Sequence, residues 1–590
     1  MASPKAAKSP WAINELLIMV LAHLDMRSLA RSACVCRRWS EIALDMLWRD
    51  VDDLMQLLAL LAPFGRPEKS TTLPHGQAFY IHKFKKAPTR RDWDRFQRYA
   101  CRVRKLSYEE YVPRTRRRCV DPSALNLLAN WYPTSEIFPN LQSLTWCAST
   151  PVMQQLSVVF MHARLKRLEI GVYNVTAPPL AEYFQQIIRR IPLLPYLALR
   201  LPQRSSIRDT EEDVVRFIRG LRHLQLFVAP IYGLTSRIAA ELSKLPHLDT
   251  ISLSPPIELG NGDRTDVSQF APILHDHAFP SLKALCMCSQ ITFAIQLFSG
   301  RFSPVNITYL CVHVLAVVDP LVVQQFFTVI KDRCHLLSEL HVDFMIHPDS
   351  PISVLPPPVH ERPSMETFRP LLSCRRLTRF EFRWDYPLNL TDRDMEEFAT
   401  GLPYIETFIL NCDAIIEFSL SSLTPKALLP FARHCPRLRR LGLYLNATGL
   451  QVPLPTQPTL AQFARLEKLY VGVSDIDRVE PVVLFLSQLC ALGCEIIAGL
   501  RWPDAFGITL DRAGIVDDRR ARMTQACVRW MELGKVLPLV IKARMDEKAR
   551  MAALHGEVAR LTTSRLQEKE RSDRLQREVQ DLRVRHGHRA

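Results

Sequence analysis

The stretch "LQSLTW" at residues 141–146 decides how the rest of the chain is read. Its apolar positions, Leu141, Leu144 and Trp146, follow the form L-x-x-L-x-L, with Pro139 just before them. The form returns at Leu165/Leu168/Ile170, Leu194/Leu197/Leu199, Leu221/Leu224/Leu226, Leu248/Ile251/Leu253 and Leu282/Leu285/Met287. It continues at Ile307/Leu310/Val312, Leu337/Leu340/Val342, Leu377/Phe380/Phe382, Ile405/Phe408/Leu410, Leu438/Leu441/Leu443 and Leu466/Leu469/Val471. Successive copies lie 24 to 40 residues apart, and Val103/Leu106/Tyr108 reads as a degenerate first copy. The last two positions of each triplet alternate with polar residues, which fits a short strand with one buried face. Helical stretches such as "LAEYFQQIIRRI" from Leu180 and "EEDVVRFIRGL" from Glu211 lie between them. One strand and one helix cannot bury their own apolar sides, so such units must stack. Unrelated strands in an ordinary α/β domain are the competing reading.

A strand-helix period of this length is similar to that of leucine-rich repeats. The resemblance implies an irregular α/β solenoid over 103–500. The family's usual Asn after the strand is mostly missing; after Leu410 the corresponding position is Asp413. The longest interval contains the proline-rich run 347–363, which reads as an exposed loop because so much proline forbids helix.

The 590 residues are 47% hydrophobic and 23% charged, with a formal net charge of +16. That composition suits a folded chain, and the length calls for several domains or a repeat array. The 15 cysteines include no CxxC pair, so zinc-finger spacing is absent and reduced, mostly buried thiols are expected. Lys5 and Lys8 before the apolar run 16–21 superficially resemble a secretion signal. No small-residue cleavage pattern follows, and His23 and Asp25 end the run well short of a membrane span. Cytoplasm or nucleus is the expected location, with no membrane contact.

At the N-terminus, Leu16, Leu17, Leu21 and Leu24 follow helical spacing. Asp25 breaks the pattern, and Ser28 can cap a second helix burying Leu29, Ala33 and Cys36. A third helix places Trp39, Ala43, Met46 and Leu47 on one side. So small a module needs a neighbour or partner to cover its apolar surface. Cys34 and Cys36 lack companions for a metal or redox site and read as small buried apolar groups. Residues 63–102 read as a basic linker, and positive charge from Lys83 to Arg118 would steer an anionic partner. A solvated basic face explains that charge better than a phosphate site, so a nucleic-acid binder ranks last among the functions considered.

The run "NELLIMVLAHLDMRSLARSACVCRRWSEIALDMLW" from Asn14 resembles an F-box, through Glu15, Leu16, Leu17, Val20, Leu21, Leu24, Ser28, Leu29 and "VCRRW" at 35–39. With repeats behind it, the chain is similar to the F-box/leucine-rich-repeat proteins of basidiomycete fungi, whose "W-R-D" tail matches residues 48–50. The motif's opening Leu-Pro is Ala12-Ile13 here, a departure at the place where the family's Pro helps seat the module on its adaptor. The resemblance implies an F-box-like module at 11–62 and a substrate-recognition subunit of a Skp-cullin-F-box ubiquitin ligase. It implies binding of a Skp-type adaptor, and through it a cullin, by Leu16, Leu17, Leu21, Leu24, Leu29, Val35 and Trp39. The repeats would hold an unidentified protein substrate.

The tail 501–590 reads as helix from 517 to 544 with an interruption at Pro538, followed by a heptad register. Met551, Leu554, Val558, Leu561, Leu575, Val579 and Leu582 lie on its seam, with Arg565, Glu568 and Ser572 at the centre. The apolar ends favour self-association as a coiled coil through 545–585, while the polar centre fits a solitary charged helix. A scaffold unconnected to ubiquitin and assembled by this helix is the second functional reading. No catalytic centre is expected: G-x-S-x-G and G-x-x-x-x-G-K-[ST] are absent, and 19 glycines are few for phosphate loops. No cofactor or metal is expected. Acidic pairs such as Glu109/Glu110 and Asp392/Asp394 read as surface charge.

Overall fold

The computed structural model describes residues 13–70, 79–110, 118–131, 136–148, 150–171, 180–201, 205–254, 262–300, 302, 305–344, 357–384, 386–414, 422–449, 451–452, 460–499 and 517–587. Backbone contacts divide the chain into two compact units, one reaching to Leu377, the other starting at Thr378 and including the C-terminal helix.

The first unit opens with three short helices, α1 (Asn14–Leu21), α2 (Met26–Ser32) and α3 (Arg37–Leu47). The Asp25 side chain caps α2 by accepting from the Ser28 backbone N–H at 3.0 Å, so the helix starts earlier than a Ser28 cap would allow. Leu17, Leu21, Leu29 and Ala43 form the module's core, with Leu24, Ala33, Trp39, Ile42, Met46 and Leu47 packed against it. Cys34 and Cys36 are exposed, contrary to the expectation of burial, because α2 ends at Ser32 and both sit in the turn before α3.

From α3 the chain enters a parallel sheet. Its strands in this unit are β1 (Asp50–Val51), β2 (Lys105–Glu109), β3 (Ser143–Cys147), β4 (Arg167–Gly171) and β5 (Tyr196–Arg200). They are followed by β6 (Leu226–Ala229), β7 (Thr250–Leu253), β8 (Ala284–Ser289), β9 (Tyr309–Val314) and β10 (Glu339–Phe344). Each strand pairs in parallel with the next one in sequence. The register aligns one buried position per strand: Val51, Leu106, Leu144, Leu168, Leu197, Phe227, Ile251, Leu285, Leu310 and Leu340. Copies of one pattern therefore stack as a solenoid-like repeat. The copy at Leu221/Leu224/Leu226 needs a shift of register. Leu197 faces Phe227, so the buried set is Leu224, Phe227 and Ala229, and Leu226 falls on the other face. Leu221 and Leu224, three residues apart, can each start the triplet, so both frames are readable in the sequence.

Helices cover the buried face of the strands. Helix α4 (Arg90–Ala100) starts at a capping box in which Thr89 and Asp92 satisfy each other's backbone N–H. It buries Trp93, Phe96 and Ala100, and strands at Glu68–Ser70 and Phe79–His82 precede it. The described residues of 63–102 thus include strands and a helix rather than only a linker, and Arg90, Arg91, Arg95 and Arg98 ride on the outer side of that amphipathic helix. Helices α5 (Leu180–Arg190) and α6 (Glu211–Gly220) fall where their sequences predict, and Phe184 stacks on Phe217 with ring centroids 4.3 Å apart. Of the proline-rich run 347–363, residues up to 356 lie outside the described set; Val359–Glu361 forms one 3-10 turn.

The second unit repeats the scheme with β11 (Arg379–Arg383), β12 (Thr407–Leu410), β13 (Arg440–Leu443), β14 (Lys468–Gly472) and β15 (Glu495–Ala498). Phe380, Phe408, Leu441, Leu469 and Ile496 align across it. Successive turns are tied by a residue that the repeat pattern did not flag. Buried Asn411, at φ +50°, accepts from the Trp384 N–H and donates to the Tyr386 carbonyl, both at 2.7 Å.

Helix α7 (Val479–Leu489) and β15 receive the C-terminal helix α8 (Asp517–Gly587). Met523, Ala526, Trp530, Leu533, Leu537 and Ile541 are buried on that contact. Trp530 Nε1 donates to the Ser474 carbonyl at 3.0 Å and Arg529 to the Ile476 carbonyl at 2.8 Å. Helix α8 runs unbroken through Pro538, contrary to the expected interruption. Proline inside a helix costs about 3 kcal/mol, and burying several large side chains at about 1.5–3 kcal/mol each exceeds that.

Gly472 closes β14 next to this contact at φ +52°, where an added Cβ would lie 1.8 Å from the Cys412 carbonyl oxygen. Gly472→Ala is expected to lower stability by more than about 3 kcal/mol in denaturant unfolding, since backbone must move. Gly493→Ala, at φ +100° with open space around it, should cost only the conformational strain, about 1–2 kcal/mol.

Candidate functional site

The surface that the fold leaves unexplained lies on the N-terminal helices. Helix α1 reads NELLIMVL, and from Leu16 to Leu21 it is apolar around its whole circumference. A helix of that kind is normally buried on every side. Only Leu17 and Leu21 are buried here, while Leu16, Ile18, Met19 and Val20 are exposed, Met19 at 62%. Ile13 before the helix, Met26 on α2 and Val35 in the α2–α3 turn extend the exposed apolar set. A groove of about 550 Å³ adjoins it, lined by Met26, Ala30, Cys34, Leu44, Trp48 and Tyr99 among others. Large exposed apolar surface on one small module marks a site of association with another macromolecule.

The module is held firmly to its unit. Arg38 donates through Nε and Nη2 to Asn14 Oδ1 at 2.8 and 2.7 Å, closing α3 onto the start of α1. Arg102 pairs with Glu41 and Asp45 on α3 and donates to the Glu41 carbonyl at 3.0 Å. Trp48 packs on Tyr99 at 5.3 Å between ring centroids, and β1 pairs with β2 through Val51 and Leu106.

The seven residues expected to bind the adaptor fall into three groups. Leu16 and Val35 are exposed, at 41% and 63%. Leu24 and Trp39 are half-buried against the module's core. Leu17, Leu21 and Leu29 are buried within it, so they set the shape of the surface and do not form it. The resemblance implies these positions, and of those that also follow helical spacing, Leu17 and Leu21 lie on the stripe that faces the module's own interior. Ile13, Ile18, Met19, Val20 and Met26 were passed over, although the lack of any polar side on α1 signals them.

The second candidate surface is the strand face opposite the buried triplets. In the first unit it carries Arg200, paired with Glu169 and, at 3.7 Å, with Glu109. Arg167 lies 3.9 Å over the Tyr196 ring and donates to its hydroxyl at 2.7 Å. Farther along, His313 Nδ1 lies 3.4 Å from Asp343. Cys286 and Cys311 are register partners there; the hydrogen bond from Cys311 holds the Cys286 thiol below the usual thiol range and pushes its own proton loss up. Acidic residues read from sequence as free surface charge are engaged. Glu109 meets Arg200, the Tyr108 hydroxyl donates to Glu110 at 2.7 Å, Asp392 accepts from Thr424, and Asp394 caps at Thr391. Of the basic cluster, Lys83 pairs with Glu68 at 2.9 Å, Arg95 donates to the Leu60 carbonyl, and residues 111–117 lie outside the described set.

Among the described residues no group of three His, Cys, Asp or Glu side chains could hold a metal ion, and no helix is long and apolar enough to cross a membrane. All fifteen cysteines are free thiols.

The three helices and β1 coincide with one known module. Residues 14–53 match the F-box-like family. The chain thus carries an F-box-like domain followed by a solenoid-like α/β repeat. No curated protein matches the chain. Among solved structures, a protein from Bacteroides fragilis is similar at 15% identity over 51% of this chain and 73% of its own, with a TM-score of 0.24. That likeness is too slight to speak to fold or function.

Core and surface roles within the F-box-like domain separate by substitution. Leu17→Ala is expected to destabilise by about 2–5 kcal/mol in thermal or denaturant unfolding. Met19→Asp should stay within about 0.5 kcal/mol of the wild type.

Proposed function

We propose that the chain is the substrate-recognition subunit of a Skp-cullin-F-box ubiquitin ligase. The observation that supports this most directly is the exposed apolar surface of α1, Met26 and Val35 on a domain matched as F-box-like. F-box domains typically bind Skp adaptors, and an adaptor helix would cover side chains that water now surrounds. The most exposed of these apolar side chains, Met19 and Val35, would serve as anchors and carry most of the affinity.

In this reading the repeats are of the leucine-rich class and present a protein target on the polar strand face. That face already pairs most of its charges internally, so recognition there would rest on shape and hydrogen bonds rather than on free charge. The chain would not be an enzyme. Ubiquitin transfer would occur on other subunits, and this chain would raise the local concentration of its target. Fifteen free thiols suit a reducing compartment, cytoplasm or nucleus.

The test is co-purification of the full chain with a Skp-type adaptor at micromolar concentration. Wild type is expected to retain the adaptor, and Met19→Asp and Val35→Asp to lose it while keeping the wild-type unfolding midpoint, because each places a charge in the apolar contact. A wild-type chain that never retains the adaptor would remove the receptor role. Retention by both variants would remove α1 and the α2–α3 turn as the contact. If the adaptor is retained, mass spectrometry of co-purifying proteins should include a target whose ubiquitination depends on this chain.

A further inference from the structure

The seam that docks α8 does not end where the docking ends. Met523, Ala526, Trp530, Leu533 and Leu537 alternate in steps of three and four and are buried in the second unit. The same steps continue in the sequence through half-buried Val540, beside buried Ile541, and through Arg544 and Glu547 to Met551, Leu554, Val558 and Leu561. They pass Arg565, Glu568 and Ser572 and reach Leu575, Val579 and Leu582. Every side chain described from Met545 to Val584 is exposed. Met551, Leu554, Val558, Leu561, Leu575, Val579 and Leu582 are each about half open to water, at 48–63%. From Met551 to Leu582 this arm spans about 47 Å at 1.5 Å per residue, long enough for a stable two-stranded coiled coil.

We infer that the arm pairs with the arm of a second copy of this chain, and that the two run antiparallel. The charged centre of the seam decides the orientation. In the heptad frame, Met551, Val558, Arg565, Ser572 and Val579 are the a positions, and Leu554, Leu561, Glu568, Leu575 and Leu582 the d positions. A parallel pair in register sets a against a and d against d. It would stack Arg565 on Arg565 and, one layer on, Glu568 on Glu568, two like-charge layers in a desolvated seam.

An antiparallel pair sets a against d. With its two-fold axis between Leu566 and Gln567, Arg565 of each copy meets Glu568 of the other. The remaining layers then fall into place. Met551 meets Leu582, Leu554 meets Val579, Val558 meets Leu575, and Leu561 meets Ser572. The polar interruption that weakens any parallel reading becomes two ion pairs at the middle of the rod, and it fixes both direction and register. The flanking positions lean the other way, since Glu557 faces Glu578 across the antiparallel pair, whereas a parallel pair would offer Glu578 to Arg583. Those side chains stand at the wet rim, where solvent screens them, and weigh less than charges within the seam. Each copy's second unit would then lie at an opposite end of the rod.

Sedimentation of the full chain at micromolar concentration is expected to show a dimer. Leu561→Asp should make it monomeric without lowering the unfolding midpoint, because the arm contributes nothing to the packed units. Glu568→Arg should raise the dimer dissociation constant by about tenfold or more, and Arg565→Glu combined with Glu568→Arg should restore it. Orientation is read from disulfide trapping in a background with Cys34→Ser and Cys36→Ser. Met551→Cys mixed with Leu582→Cys should form a covalent heterodimer, and Met551→Cys alone should form none. A monomeric wild type, a dimer insensitive to Leu561→Asp or to Glu568→Arg, or covalent Met551→Cys homodimers would each overturn the inference.

Discussion

A parallel strand with one apolar face has no stable existence by itself. Its hydrogen bonds run to two neighbours and its apolar side needs a helix laid across it, so every repeat in this chain is completed by the next. The aligned row from Leu106 to Leu340 in the first unit, and from Phe380 to Ile496 in the second, is that dependence written in register. Each position is apolar because it is shut between sheet and helix. The residues beside it differ from strand to strand, and one scaffold carries Arg200 with Glu169 at one place and the buried pair Cys286 and Cys311 at another.

The strand-helix alternation was legible in the sequence because burial imposes a strict spacing. The triplets from Leu141 to Val471 nearly all fall on strands, and the helices at Leu180 and Glu211 lie between them. Register was less legible where leucines crowd: Leu221, Leu224 and Leu226 offered two frames, and only pairing with β5 selects the one through Phe227. Residues 63–102 were misread because charge hid the apolar stripe of Trp93 and Phe96. Pro538 was misread for the opposite reason, since a local rule about helix breaking cannot weigh the tertiary contact that holds α8 together.

The candidate site was legible as a module but not as a surface. Spacing along α1 identifies Leu17 and Leu21, which turn inward, whereas the residues available to a partner are those that break amphipathic logic. Apolar side chains without a polar counterpart on the same helix carry information that periodicity discards. The same holds at Asn411, whose role depends on a backbone conformation that no repeat pattern encodes.

Strand β1 is only two residues long, and it occupies the outermost place in its sheet. A long terminal strand would expose a row of unused backbone donors and acceptors, an open template on which other chains can add. Here that template is cut to a stub, Asp50 within it and Asp52 just after it carry negative charge, and the F-box-like helices come immediately before it in the chain. At this end, then, the sheet finishes in a strand too short to serve as a template on which a further chain could add.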